Sequence, residues 1–337
     1  MDKLNKNYLK KYNLSLDLFD QYDFIVKDIY PIRNVYIIDT NKGKKILKKV
    51  DYTLEELKFI EEIINYIKIE FARIMEFEKN IQGDIYTIYK GEMYCLMDLI
   101  DGRECQFSNP LDLKISSVAL AKMHNASKGF TTKFNKRVLN GKSIEKFKIQ
   151  KEEMNFFKKI ANIHKNKNEF DNLFLSEIDY YIDEISKSIN ILENSHYYDI
   201  CKENDKISIC HHDLAYHNIL IKEDEAYFID FDYAILDLKV NDLCNFITKV
   251  IKNFGFDISK ANIILNNYSS VYSIADKELE VLYGLLSFPY DFYDISKNYY
   301  TKRKDWDDEV FLNRLIKKCN YKEDRKEFLK DFRDNLL

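Results

Sequence analysis

The sequence predicts an α+β chain of two lobes, a small β-rich N-terminal one and a larger helical C-terminal one. Three observations predict it. Turn-bounded β-like runs crowd the first 100 residues, helical periodicity takes over after Asp101-Gly102, and only two short β-like runs, ISIC (207–210) and AYFID (226–230), interrupt it. With 337 residues, 46% apolar and 15% aromatic, the chain can bury a substantial core.

Residues 33–50, RNVYIIDTNKGKKILKKV, read as a hairpin turning at Asn41-Lys42-Gly43. Thr53 with Glu56 three residues on has capping-box spacing, and Leu57, Ile60, Ile63, Ile64 and Ile67 follow at helical intervals. DIYTIYK (84–90) and EMYCLMDLI (92–100) give two more strands hinged on Gly91. A helix is expected at 111–125, then a Lys- and Asn-rich stretch to about 175. Ile178, Tyr181, Ile182, Ile185, Ile189 and Leu192 then share one helical face, and helices return from 240 to the end. The division expected is 1–98 and 99–337, joined by one crossover near 98–103. Lobes of this kind form a cleft for small ligands.

Fifty-two Lys and Arg against 56 Asp and Glu give a net charge of −4, which argues against nucleic acid or an anionic membrane as partner. Six cysteines without a CxxC pair fit reduced, buried thiols. The opening MDKLNKNYLKKYNLS lacks the apolar core of a signal peptide or a membrane span, so the expectation is a cytoplasmic product.

The chemistry concentrates in HHDLAYHNIL (211–220), which holds three of the six histidines. Asp213 is followed five residues later by Asn218, and Asp230 comes twelve residues beyond that. Phosphoryl transfer needs one carboxylate to orient or deprotonate a hydroxyl, and an amide oxygen with a second carboxylate to hold Mg²⁺. Asp213, Asn218 and Asp230 match that list in type and order.

HxDxxxxN followed by IDFD resembles the catalytic and metal loops of aminoglycoside and choline kinase-like phosphotransferases, which implies a bilobal protein kinase-like fold using ATP and Mg²⁺. On that resemblance Asp213 is the base, His211 braces the loop, and Asn218 and Asp230 are metal ligands. Asp232, two residues on, would project to the same face of an extended segment and join them. Lys48 matches the strand lysine that contacts nucleotide phosphates. Its neighbour Lys45 would miss the motif, and Lys49 should face the other side. Glu56 holds the helix position expected to pair with Lys48, and Met97, Asp98, Leu99 and Ile100 fall where such kinases bond adenine through backbone atoms. Asp242 matches an aspartate that buttresses the catalytic loop. Two departures stand out: no glycine precedes Gly43, where RNVY (33–36) replaces a Gly-rich phosphate cover, and His212 replaces a frequent glycine beside the base. Asn140-Gly141-Lys142-Ser143 imitates the end of a Walker loop but lacks its earlier glycine and strand.

DLIDGREC (98–105), HHDLAYHNILI, FIDFDYAILD and FPYDFYDISKNYYTKRKDW (288–306) together resemble the CotS family of spore-coat proteins across most of residues 30–335. That implies assembly in or under the spore coat, from the mother-cell cytoplasm, with other coat proteins as partners. Two functions follow: a phosphotransferase acting on a hydroxyl of a small molecule or coat component, or a structural coat protein keeping the fold for binding. In the last phrase Phe292, Ile295 and Tyr299 should pack inward and leave Asp291, Asp294 and Asn298 on a wetter face. Those carboxylates suit a cationic or polyhydroxylated acceptor, while Arg303 and Lys304 would suit an anionic one.

Overall fold

The computed structural model describes residues 14–337. The opening residues read above for a leader lie, up to 13, outside the described residues. In chain order the elements are β1 (Val26–Ile32), β2 (Val35–Thr40), β3 (Gly43–Val50), α1 (Leu54–Lys68), β4 (Phe77–Glu78), β5 (Tyr86–Tyr89), β6 (Glu92–Asp98), β7 (Arg103–Glu104) and α2 (Pro110–Ala126). They continue with α3 (Ser143–Ile163), α4 (Glu169–Asn194), α5 (Tyr197–Ile200), β8 (Ile207–Cys210), β9 (Ile219–Lys222), β10 (Glu225–Phe228) and β11 (Ile235–Leu238). Six helices close the chain: α6 (Lys239–Ile251), α7 (Ile258–Ser269), α8 (Asp276–Leu286), α9 (Tyr290–Tyr300), α10 (Asp308–Asn320) and α11 (Lys322–Leu336). The mixed α and β class read from the sequence is the class observed.

Two compact units organise these elements: residues 14–105, 131–134 and 216–232 form one, and 106–130, 135–215 and 233–337 the other. In the first, an antiparallel sheet runs β1-β2-β3-β6-β4, with β5 also paired to β6. Residues alternate across it, so Leu47 and Leu96 bury one face with Leu18, Phe19 and Ile29, while Val50 and Cys95 meet Leu57 of α1 on the other. The capping box of α1 forms as its spacing predicts: Thr53 accepts from the Glu56 N–H, and Glu56 accepts from the Thr53 N–H. A second small sheet, β10-β9-β7, docks its β10 end on residues 73–75, where Phe228 N–H reaches the Arg73 carbonyl at 3.0 Å and Met75 N–H the Phe228 carbonyl at 3.0 Å. The hairpin 216–232 therefore folds with the first unit, although the sequence division runs 99–337 as one piece.

In the second unit α2 packs on α7, α3 on α4, and α4 and α6 on α8. The face predicted for α4 is buried through Ile178, Tyr181, Ile185 and Leu192. Gly284 of α8 permits the close approach, since a Cβ there would stand 2.6 Å from a Leu192 methyl. Other elements add to or correct the sequence reading. β1, which precedes the first run read from sequence, accommodates Pro31 because it lies at the sheet edge, where a missing donor is tolerated. The Lys-rich stretch contains α3, whose Ile144, Phe147, Met154, Phe157 and Ala161 are all buried. The two β-like runs belong to different sheets, β8 pairing with β11 and β10 with β9.

Candidate functional site

Within the first unit, alternation along β3 directs Lys48 to the Cys95 face, while Lys45 is buried on the Leu47 face. Lys45 there binds Glu78, and Asp98 at 2.5 Å. Lys49 pairs with Glu92 at 3.1 Å and Asp51 at 3.6 Å. Lys48 instead reaches Asp230 Oδ1 at 2.7 Å and Asp232 Oδ2 at 2.5 Å. Tyr52, which the sequence reading missed, donates its hydroxyl to Asp232 Oδ1 at 3.0 Å. Burial raises the Asp232 carboxyl above its ordinary range and the Lys48 charge opposes that. For Lys48 burial opposes the charged form, but Asp232 and Asp230 outweigh it and hold the ammonium protonated.

Asp230 is placed by the β9-β10 hairpin and takes a left-handed backbone, φ 65°, which aspartate tolerates. Its N–H lies 3.3 Å from the Met75 sulfur. Asn218 is buried in a 3-10 turn, and its carbonyl accepts the Ile229 N–H at 3.0 Å, so the amide and the two acids sit around one hairpin. The expected Lys48–Glu56 pair does not form: Glu56 closes the capping box, and Lys48 has its two aspartates. Met97, Asp98, Leu99 and Ile100 end β6 and begin the crossover. The Leu99 N–H donates to the Lys44 carbonyl at 3.1 Å, and the Asp98 carboxylate is engaged by Lys45.

The second unit holds the other half of the motif. Asp242, fully buried on α6, accepts the N–H groups of His211 at 2.7 Å and His212 at 2.8 Å, and the ring of His124 at 3.1 Å. Burial works against its charge, yet the His124 hydrogen bond leads the influences that hold its carboxyl below the usual range. Burial also keeps His124 neutral. The network then assigns its proton to Nε2, facing the carboxylate, while Nδ1 accepts from the Tyr268 hydroxyl at 2.7 Å. His211 is buried behind the loop, its Nδ1 accepting the Asp213 N–H at 3.3 Å. His212 takes φ 63°, which costs a non-glycine residue about 1–2 kcal/mol. Burial pushes its imidazole down to about 4, so the ring is neutral.

Asn245 ties the loop down by accepting the Leu214 N–H at 2.9 Å and donating to the His212 carbonyl at 3.2 Å. Lys249 binds Asp213 Oδ1 at 2.7 Å. Neither was singled out from sequence, although 242, 245 and 249 fall at i, i+3 and i+7 on one helical face. A cavity of about 690 Å³ within this unit is lined by His212, Asn245, Lys249, Tyr293, Asp291 and Asp294 among others. Phe292, Ile295 and Tyr299 are buried as their spacing predicts, while Arg303 and Lys304 are exposed and do not line the cavity.

Among the described residues, His124, Cys210 and Asp242 form the one cluster of His, Cys and acid groups close enough for a metal. Its donors are committed, since the Cys210 thiol faces the carbonyls of Asp237 and Leu238 and burial raises it well above its ordinary value. It is a structural network.

The fold and these loops place the chain in the kinase-like phosphotransferase fold. An aminoglycoside phosphotransferase from Alicyclobacillus acidocaldarius superposes with a TM-score of 0.82 at 18% identity, covering 95% of this chain and 96% of that one. A spectinomycin phosphotransferase solved with ADP and spectinomycin gives 0.66 at 14% identity over 97% and 98%. An amicoumacin kinase solved with AMP-PNP and Ca²⁺ gives 0.64 at 13% over 98% and 94%. Residues 15–332 match the family described as "Spore coat putative kinase YutH", and the chain belongs to it. It is 26% identical over 304 residues to spore coat protein S of Bacillus subtilis (strain 168), covering 88% of this chain and 86% of that protein.

Proposed function

We propose that the chain is an ATP- and Mg²⁺-dependent phosphotransferase that moves the terminal phosphoryl group to a hydroxyl acceptor during spore coat formation. The observation that carries this reading is the Lys48 ammonium between Asp230 and Asp232. A cation beside two carboxylates suits a site that must take up phosphate oxygens and a divalent ion together. The donor set fits: Asp230, Asp232 and the Asn218 amide offer the hard oxygens Mg²⁺ prefers. When bound, the ion would neutralise charge on the nucleotide phosphates.

Lys48 would turn from its aspartates to those phosphates, and adenine would lie against the backbone of Met97–Ile100. Asp213 receives the acceptor's hydroxyl proton as the acceptor oxygen bonds to the γ-phosphorus and the bond to the bridging oxygen breaks, releasing ADP. His211, Asp242 and Asn245 hold the loop that presents Asp213. The family's name and the B. subtilis relative support association with the spore coat; work in the mother cell and other coat proteins as partners belong to the same proposal. His212, strained where glycine would be relaxed, favours a second reading: a coat component that binds nucleotide with little turnover.

ATP labelled in its terminal phosphate, offered with hydroxylated metabolites and spore extract, separates the two. Label transfer that disappears in Asp213→Ala supports the enzyme. Nucleotide binding without transfer to any acceptor supports the structural role.

A further inference from the structure

The cavity of about 690 Å³ in the helical unit has the size of a small-molecule site. Its wall carries as many lysines as carboxyl groups, and most are matched. Lys297 binds Glu153 at 2.9 Å, Lys318 binds Asp291 at 3.0 Å, and Lys249 binds Asp213 at 2.7 Å. Lys142 and Glu145 are opposite charges three residues apart and add no net charge. Two groups differ. Lys146, in the first turn of α3, and Asp294, on α9, have no hydrogen-bond or ion-pair partner among the described residues, and both side chains are exposed along the cavity.

Enclosure by the cavity wall and then Asp291 raise the Asp294 carboxyl, while Lys252, Lys249 and Lys146 pull it down. A cationic partner for Asp294 would compete with those lysines. An amine alone would meet Asp294 yet be repelled by Lys146 and Lys252, and an acid alone would leave Asp294 unmatched.

We propose that this cavity takes an amphoteric hydroxylated acceptor, whose acid group is received by Lys146 and whose amine is received by Asp294. The proposal rests on the phosphotransferase reading for the fate of the acceptor, but its binding chemistry belongs to the cavity alone. The volume exceeds the needs of one amino acid and suits an acid-bearing amino sugar or a conjugate of similar size.

Three probes on one sugar frame test it: glucosamine with an amine, glucuronate with an acid, and muramic acid with both. Titration calorimetry without nucleotide should find muramic acid bound at least about tenfold more tightly than either, a difference of about 1.4 kcal/mol. Lys146→Met should bring muramic acid down to the glucosamine level, and Asp294→Asn to the glucuronate level. Both positions are exposed, and unchanged ADP binding and melting temperature check the fold. Glucosamine binding as tightly as muramic acid, an unchanged order in both variants, or no saturable binding by any probe overturns the proposal. Muramic acid binding without phosphorylation in the presence of ATP faults the phosphotransferase reading instead.

Discussion

Replacing Asp242 by Asn should release the loop at His211–Leu214. The carboxylate accepts from His211, His212 and His124 at 2.7, 2.8 and 3.1 Å in a fully buried site. An amide has one accepting oxygen and turns an NH₂ toward the third donor, so at least one bond is lost and two donors are set face to face. A hydrogen bond to a charged group contributes about 1.5–3 kcal/mol, and an unsatisfied buried donor costs about 1–3 kcal/mol more. Destabilisation of about 3–5 kcal/mol follows, a large part of the whole stability of an ordinary domain. The His212 backbone, held at φ 63° partly by that bond, should relax. Urea unfolding gives the energy, and hydrogen exchange at the His211 and His212 amides locates it. His124→Phe, which removes one of the three bonds, should cost less than Asp242→Asn. Stability within about 0.5 kcal/mol of wild type, with both amides still protected, would refute the clamp.

Asp230→Ala should weaken metal-dependent nucleotide binding, whereas Asp213→Ala should spare it and remove transfer; equal loss of affinity in both folded variants would undo that division. Asp291→Asn with Asp294→Asn should change the acceptor Michaelis constant or coat recruitment and leave ATP affinity alone, and wild-type values for both would place the acceptor elsewhere. Asp237→Asn tests a buried acid. Burial raises that carboxyl from 3.8 to about 7, so its penalty is absent below pH 4, grows as pH rises and is complete above pH 7. The variant should therefore gain on wild type between pH 4 and 8, by on the order of 4 kcal/mol, read by denaturant midpoints; parallel curves would contradict it.

What could be read from the sequence followed local rules. Hairpins turning at Gly43 and Gly91, the Thr53–Glu56 box and the α4 face each carry their signal within a few residues. β1 was not read from the sequence; Pro31 within it fits only an edge strand. α3 was hidden because lysines dilute an apolar stripe that the core nevertheless uses. Strand alternation was enough to separate Lys48 from Lys49, and the motif's position set Lys45 aside. The Lys48–Glu56 pair failed because one carboxylate cannot be assigned from position when a nearby cap competes for it. That 216–232 folds with the first unit depends on Phe228 meeting residues 73–75 and on β9 meeting β7, a two-residue strand, neither of which has a periodicity to read. Asn245 and Lys249 were legible in principle, one and two turns beyond Asp242.

Lys48, Asp230, Asp232 and Asn218 are expected to act together as a metal-dependent nucleotide site. Titration calorimetry of a non-hydrolysable ATP analogue, with Mg²⁺ and with chelator, checks this, paired with melting curves of the same samples. Saturable binding that needs Mg²⁺ is predicted, with stabilisation of about 2.7 kcal/mol at a hundredfold excess over the dissociation constant. No heat and no shift at millimolar nucleotide, with or without the metal, would contradict it.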